Sequence, residues 1–211
     1  MRPTHLLAAT ALFCAPGIAT PQEERSSPLF ETVCATCHGP RGGGNAELKT
    51  PSIAGQPDWY TLGQIAKFRA DMRGIDPSDE TGAQMHAIAM TLDDQAAKEV
   101  AAYIAGLPVV PTKNTLRGDS KKGRILFEDN CMECHRYNGT GEMVFKSPSL
   151  IAYQDWYIVA QLGKFQSGAR GTHPGDEEGA KMHRVTQFVR GEHDFINIAA
   201  FIAELAQRYA K

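Results

Sequence analysis

The sequence predicts an all-α protein made of two tandem copies of one small helical unit, joined by a short proline-containing linker. Two observations predict it. Apolar residues recur at three- and four-residue steps in several windows, the period of a helix with one buried face. The chain also repeats itself at an offset of 97: between positions 29 and 86, 26 of 58 residues recur without a gap, far beyond chance. A composition of 42% hydrophobic and 22% charged residues is that of an ordinary globular protein. The net charge of −2 gives neither the basic excess that nucleic acid attracts nor an acidic tail.

The elements follow in order. Residues 1–19 read as a secretory signal peptide. Arg2 supplies the positive start, an apolar run spans 6–13, and Gly17-Ile18-Ala19 offers a cleavage site after Ala19. The run falls short of the roughly 20 apolar residues that cross a bilayer. Pro16 and Gly17 oppose an uncleaved anchor, and Phe13 opposes lipoprotein processing at Cys14. The mature chain is then exported and soluble, with four cysteines and 21 basic against 24 acidic residues, net −3.

The first unit covers 20–107. A short helix is expected around 29–33. A longer one carries Trp59, Leu62, Ile65, Phe68 and Met72, with Asp58 as N-cap. A third carries Val100, Tyr103, Ile104 and Leu107, capped near Asp93 or Asp94. Residues 108–118 form the linker, where Pro108 and Pro111 favour an extended course. The second unit, 119–211, repeats the pattern. A helix lies around 123–130, a second carries Trp156, Val159, Leu162 and Phe165, and a third carries Ile198, Phe201, Ile202 and Leu205. Glycine-rich stretches at 39–44 and 74–82 are expected to loop over something. Units this small usually need a staple or a cofactor.

Cys34-Ala35-Thr36-Cys37-His38 recurs as Cys131-Met132-Glu133-Cys134-His135. C-x-x-C-H is the attachment motif of c-type haem. Two thiols at this spacing add to the two vinyl groups of one porphyrin, and the adjacent histidine becomes the proximal iron ligand. A redox dithiol would need a βαβ setting, and zinc would need a fourth ligand. The expected cofactors are two covalently bound haem c groups, with Cys34, Cys37, Cys131 and Cys134 as thioethers and His38 and His135 on iron.

The distal ligand should recur in both copies. Of the methionines, only Met85 and Met182 match each other, each 47 residues after its histidine. His86 and His183 recur beside them, so bis-histidine ligation is the rival. His/Met ligation raises the reduction potential. With both axial positions filled, the iron has no place for substrate, which favours electron transfer over catalysis. The carbonyls of Pro51 and Pro148 are candidate acceptors for the proximal imidazoles. Trp59, Tyr60, Trp156 and Tyr157 either line the haems or belong to the core, and Arg73 and Arg170 either pair with propionates or lie in solvated loops.

These residues resemble the di-haem cytochrome c4 family. The likeness rests on the two CxxCH motifs, Pro51-Ser52-Ile53-Ala54-Gly55-Gln56, the methionine seven residues before Leu92 of Thr91-Leu92-Asp93-Asp94-Gln95, and Val100-Ala101-Ala102-Tyr103-Ile104. The second copy departs from the pattern: Ile151-Ala152-Tyr153-Gln154 displaces the glutamine, and Phe188-Val189-Arg190-Gly191-Glu192 replaces the Thr-Leu-Asp-Asp-Gln run. The resemblance implies two class I cytochrome c domains with neighbouring haems, Met85 and Met182 as distal ligands, and electron shuttling in the bacterial periplasm. Redox protein partners are expected: a quinol-oxidising complex or a dehydrogenase as donor, a terminal oxidase or reductase as acceptor. Tandem domains of this kind also occur attached to membrane-bound oxidases. Two alternatives stay open, a di-haem enzyme of the peroxidase or thiosulfate dehydrogenase type and a tightly bound electron-transfer subunit. A thiolate-ligated dehydrogenase needs a spare cysteine, and the mature chain has none.

Overall fold

A computed structural model describes residues 27–210. The leader, Cys14 and the cleavage site after Ala19 lie outside the described residues. Among the described residues the regular structure is helical, with two isolated bridges, Asn45 to Thr50 and Glu142 to Ser147. In the first half a π-helical turn, Phe30–Cys34, runs into α1 (Ala35–His38), followed by α2 (Asp58–Arg69), α3 (Glu80–Met90) and α4 (Asp94–Ala105). The second half has α5 (Ser120–Asn130), α6 (Met132–His135), a 3-10 turn (Met143–Phe145), α7 (Asp155–Ser167), α8 (Glu177–Thr186) and α9 (Glu192–Tyr209).

The expected helices form, with local differences. Asp93 caps α4, its carboxylate accepting the Ala96 N–H at 2.8 Å. Asp58 does not cap α2. Pro57 holds the cap position with φ −55° and ψ 141°, and Asp58 becomes the first helical residue. Met72 lies beyond α2, which stops at Arg69 before Asp71 turns left-handed at φ 57°.

The larger difference is α3 and α8, two helices that the apolar periodicity did not predict. Their first turns are built by Asp79 and Asp176, which accept the N–H groups of Gly82 and Gly179 at 2.7 and 2.9 Å. Gly74 and Gly171, both at positive φ, pass so close that a Cβ on either would lie 2.4 Å from the carbonyl oxygen of Gly82 or Gly179. The repeated Arg-Gly and Gly-Ala pairs of the sequence are therefore one contact seen twice.

Packing differs between the halves. In the second half α5 crosses α9 at close range, and a Cβ on Gly123 would lie 1.8 Å from the Asn197 carbonyl oxygen. Phe127 meets Phe201 edge to face at 5.4 Å, and the two belong to one continuous cluster of thirteen buried residues. The first half has two separate clusters, one around Ile65, Phe68 and Leu92 and one around Phe30, Val100 and Ile104. A cavity lies between them. Residues 106–119 contain no helix. Leu107 still packs against the first half, on the Phe30 cluster, and from Thr112 the segment lies on the second half, where Thr112 donates to the Ile151 carbonyl at 2.9 Å and buried Asp155 receives the N–H of Leu116 at 2.8 Å.

Candidate functional site

Each CxxCH motif opens on a cavity. Cys34, Cys37, His38, Pro51 and Met85 line the first, of about 1240 Å³ including its open mouth. Cys131, Cys134, His135, Pro148 and Met182 line the second, of about 2210 Å³. The helical turn at each motif explains its spacing, because residues three and four apart share one face.

The Nδ1–H of His38 donates to the Pro51 carbonyl at 2.8 Å, and that of His135 to the Pro148 carbonyl at 3.1 Å. A carbonyl oxygen only accepts, so the proton sits on Nδ1 and the Nε2 lone pair is left to ligate. Burial lowers the pKa of both rings, that of His135 to about 4, with the carbonyl bonds opposing it. Both imidazoles are neutral near pH 7, the ligating form. The acceptor loops are themselves tied back: the Thr50 hydroxyl donates to the Cys37 carbonyl at 2.5 Å, and the Ser147 hydroxyl to that of Cys134. Gly44, at φ 81°, lets its loop pass where a Cβ would come within 2.7 Å of the Pro51 carbonyl carbon.

Burial pushes the Cys34 thiol up to about 11 and the Cys131 thiol to about 12. Thiolate is the species that zinc or a reactive dithiol requires, and it is disfavoured here. A neutral thioether suits the same surroundings. Among the described residues no disulfide and no three-residue metal cluster of His, Cys, Asp or Glu forms.

Met85 on α3 packs half-buried against the Ile65 cluster, and Met182 on α8 packs against the second core. Successive helical residues point about 100° apart. His86 accordingly turns outward, its Nε2 2.8 Å from the Asp71 carboxylate, while His183 donates from Nδ1 to the Phe165 carbonyl at 2.5 Å. Neither histidine lines its cavity.

The halves meet along the inner walls of both cavities. Tyr60 and Tyr157 line both, Trp59 lines the second, and Trp156 lines neither. Arg73 and Arg170 are not solvated, each being only 8% exposed. Arg73 donates to Gln64 at 2.7 Å and across to Gln161 at 3.3 Å and the Tyr157 hydroxyl at 3.1 Å. Arg170 donates to Gln161 at 2.5 Å and across to Gln64 at 2.8 Å. Two buried cations thus share two neutral amide oxygens, and the Arg73 Nε has no partner. Each guanidinium also lies over a phenyl ring, Phe68 or Phe165, at 4.5 and 4.4 Å. Such an arrangement calls for anions. A porphyrin carrying two propionates, tethered at the cysteines, meets the demand, and the residues fit haem c. Sequence reading did not single out Gln64, Gln161, Asp79 or Asp176, although each recurs at the offset of 97.

The family model described as cytochrome c matches residues 24–108 and again 120–206. A cytochrome c4 of Thiocapsa roseopersicina is 29% identical over 76% of this chain and 82% of its own. A thiosulfate dehydrogenase electron acceptor of Stutzerimonas stutzeri is 30% identical over 68% of each chain. The cbb3-type cytochrome c oxidase subunit FixPc of Rhizobium leguminosarum is 30% identical over 57% of this chain and 42% of its own. The crystal structure of reduced recombinant cytochrome c4 from Pseudomonas stutzeri superposes with a TM-score of 0.63 at 28% identity, over 82% of this chain and 93% of that one.

Proposed function

Because this chain belongs to the cytochrome c family and carries two tandem domains in the manner of di-haem cytochrome c4, we propose that it is a periplasmic, non-catalytic electron carrier. Its cofactors are two covalently bound haem c groups, and it is an electron-transfer protein. The reading as a carrier rests on one observation: each cavity brings a neutral imidazole with a free Nε2 together with a thioether. His38 and Met85 ligate one iron, and His135 and Met182 the other. Two protein ligands to each iron would leave no place there for a substrate.

Haem c supplies a one-electron iron couple. The chain's residues do the rest. Cys34, Cys37, Cys131 and Cys134 tether the group. The Pro51 and Pro148 carbonyls fix the tautomer and orientation of the proximal rings, so that each would present Nε2 to an iron. The methionine sulfurs raise the potential, and the apolar walls keep water from the couple. Arg73 and Arg170, bonded across the boundary between the halves to Gln161 and Gln64, would offset propionate charge there.

The donor is a quinol-oxidising complex or a periplasmic dehydrogenase, and the acceptor a terminal oxidase or reductase. Likeness to a thiosulfate dehydrogenase electron acceptor supports the first, and likeness to an oxidase subunit the second. The composition of residues 1–19 supports export. The test is electron paramagnetic resonance and absorption of the ferric protein, with stopped-flow reduction. Low-spin iron, a thioether-to-iron charge-transfer band and uptake of one electron per haem are expected. High-spin iron in untreated protein, or turnover of peroxide or thiosulfate by the chain alone, would overturn the carrier reading.

A further inference from the structure

The carboxylates that start the two methionine-bearing helices are almost wholly buried, Asp79 at 1% and Asp176 at 2% exposure. Each caps its own helix, and each takes its counter-charge from the other half. Lys164 of α7 donates to Asp79 at 2.5 Å and to Thr81 at 2.8 Å. Lys67 of α2 donates to Asp176, and to Glu178 at 2.8 Å. Both lysines reach the cavity of the opposite half, Lys164 lining the first and Lys67 the second. Met85 follows Asp79 by six residues and Met182 follows Asp176 by six, less than two helical turns. The proximal loops are tied crosswise as well. Gln154 accepts the Ser52 N–H at 2.8 Å beside Pro51, and Gln56 donates to the Ser149 carbonyl at 3.2 Å beside Pro148.

A buried carboxylate that loses its cation is driven toward water, and here it would take the first turn of the helix with it. We infer that Lys164 positions Met85 and Lys67 positions Met182, so that the grip of each distal ligand is set by a lysine of the other half. The inference rests on the proposed methionine ligation. An ordinary interface bridge would lower stability alone, or disturb the lysine's own half. Crosswise positioning places the disturbance at the opposite haem.

The experiment uses the full-length ferric holoprotein. Exogenous imidazole is titrated against the two iron-shifted methionine methyl resonances, assigned with Met85→Ala and Met182→Ala. Lys164→Gln should tighten imidazole binding about tenfold or more at the first-half haem, with the second unchanged. Lys67→Gln should do the reverse. The double variants Asp79→Asn/Lys164→Gln and Asp176→Asn/Lys67→Gln leave no lone buried charge and retain a capping side chain. They should return imidazole binding at the opposite haem to near the wild-type value, and where a glutamine variant fails to fold, Lys164→Arg or Lys67→Arg, which keeps the charge but alters its reach, should show a smaller shift at the same opposite haem. A change in the lysine variants confined to the lysine's own half, equal in both halves or absent, or a double variant as disturbed as the single one, would overturn the inference. A wild type without iron-shifted methionine methyl signals would instead overturn the ligation reading, and the inference with it.

Discussion

Gln154 holds the two halves together through a single amide. Its Oε1 accepts the Ser52 N–H at 2.8 Å and its Nε2 donates to the Gly43 carbonyl at 2.7 Å, both in the first half. Gln154 stands at the cap position of α7 but makes no capping bond, so Gln154→Ala removes only the contact between halves. Ser52 is 1% exposed, so its N–H would be stranded at a cost of about 1–3 kcal/mol. The Gly43 carbonyl is half-buried and can turn to water, adding roughly 0.5 kcal/mol. The expected loss is about 1.5–3.5 kcal/mol. If the halves melt as one unit, that lowers Tm by about 3–14 °C. Calorimetry of the holoprotein is the assay. The exposed Gln187, bonded to nearby carbonyls at 3.1 Å, is the control, and Gln187→Ala should stay within about 0.5 kcal/mol. A Gln154→Ala loss as small as the control would refute the reasoning that this amide bridges the halves.

Other perturbations have equally definite outcomes. Gly123→Ala puts a methyl 1.8 Å from the Asn197 carbonyl oxygen, so α5 and α9 must separate; a loss of about 3 kcal/mol or more in denaturant titration is expected. Arg73→Gln removes a buried positive charge, which favours the oxidised state. Redox titration should show a potential lowered by about 40 mV for roughly 1 kcal/mol of lost interaction. The Glu178 carboxyl is lowered from 4.5 to about 2, first by the Lys67 hydrogen bond and with help from Lys146, against burial. A depressed carboxylate stabilises the fold above its unfolded pKa, and that stability fades as pH falls from about 4.5 through about 2. Glu178→Gln should remove about 1 kcal/mol of this acid dependence, after allowance for solvent screening, in melts between those pH values.

The parts of the site carried by short-range spacing were legible. Two CxxCH motifs at one offset located both cavities, and the proline carbonyls proved to be the partners of the proximal imidazoles. The methionine pairing came from the duplication, and the family resemblance implied the same two residues. The helices that carry Met85 and Met182 were not legible, because Gly74 to Gly82 has the composition of a loop. The caps at Asp79 and Asp176, and the close passage of Gly74 and Gly171, decide otherwise. Contacts between the halves were the least legible. The displaced glutamine of Ile151-Ala152-Tyr153-Gln154 read as a local irregularity of the second loop, yet Gln154 acts on the first half. Periodicity reports which face of a helix is buried and not what lies across from it, so Gln64 and Gln161 recurred in the repeat without disclosing that they bridge two arginines.

Two tethered haems with histidine and methionine ligands are tested most directly by the mass of the purified holoprotein together with its ferric absorption spectrum before and after Met85→Ala and Met182→Ala. The chain should be heavier by two haem c groups, and the thioether-to-iron band should fall by about half in each variant, as one of two equal sulfur ligands is lost. A mass increase of one haem, or a band untouched by either substitution, would contradict that arrangement.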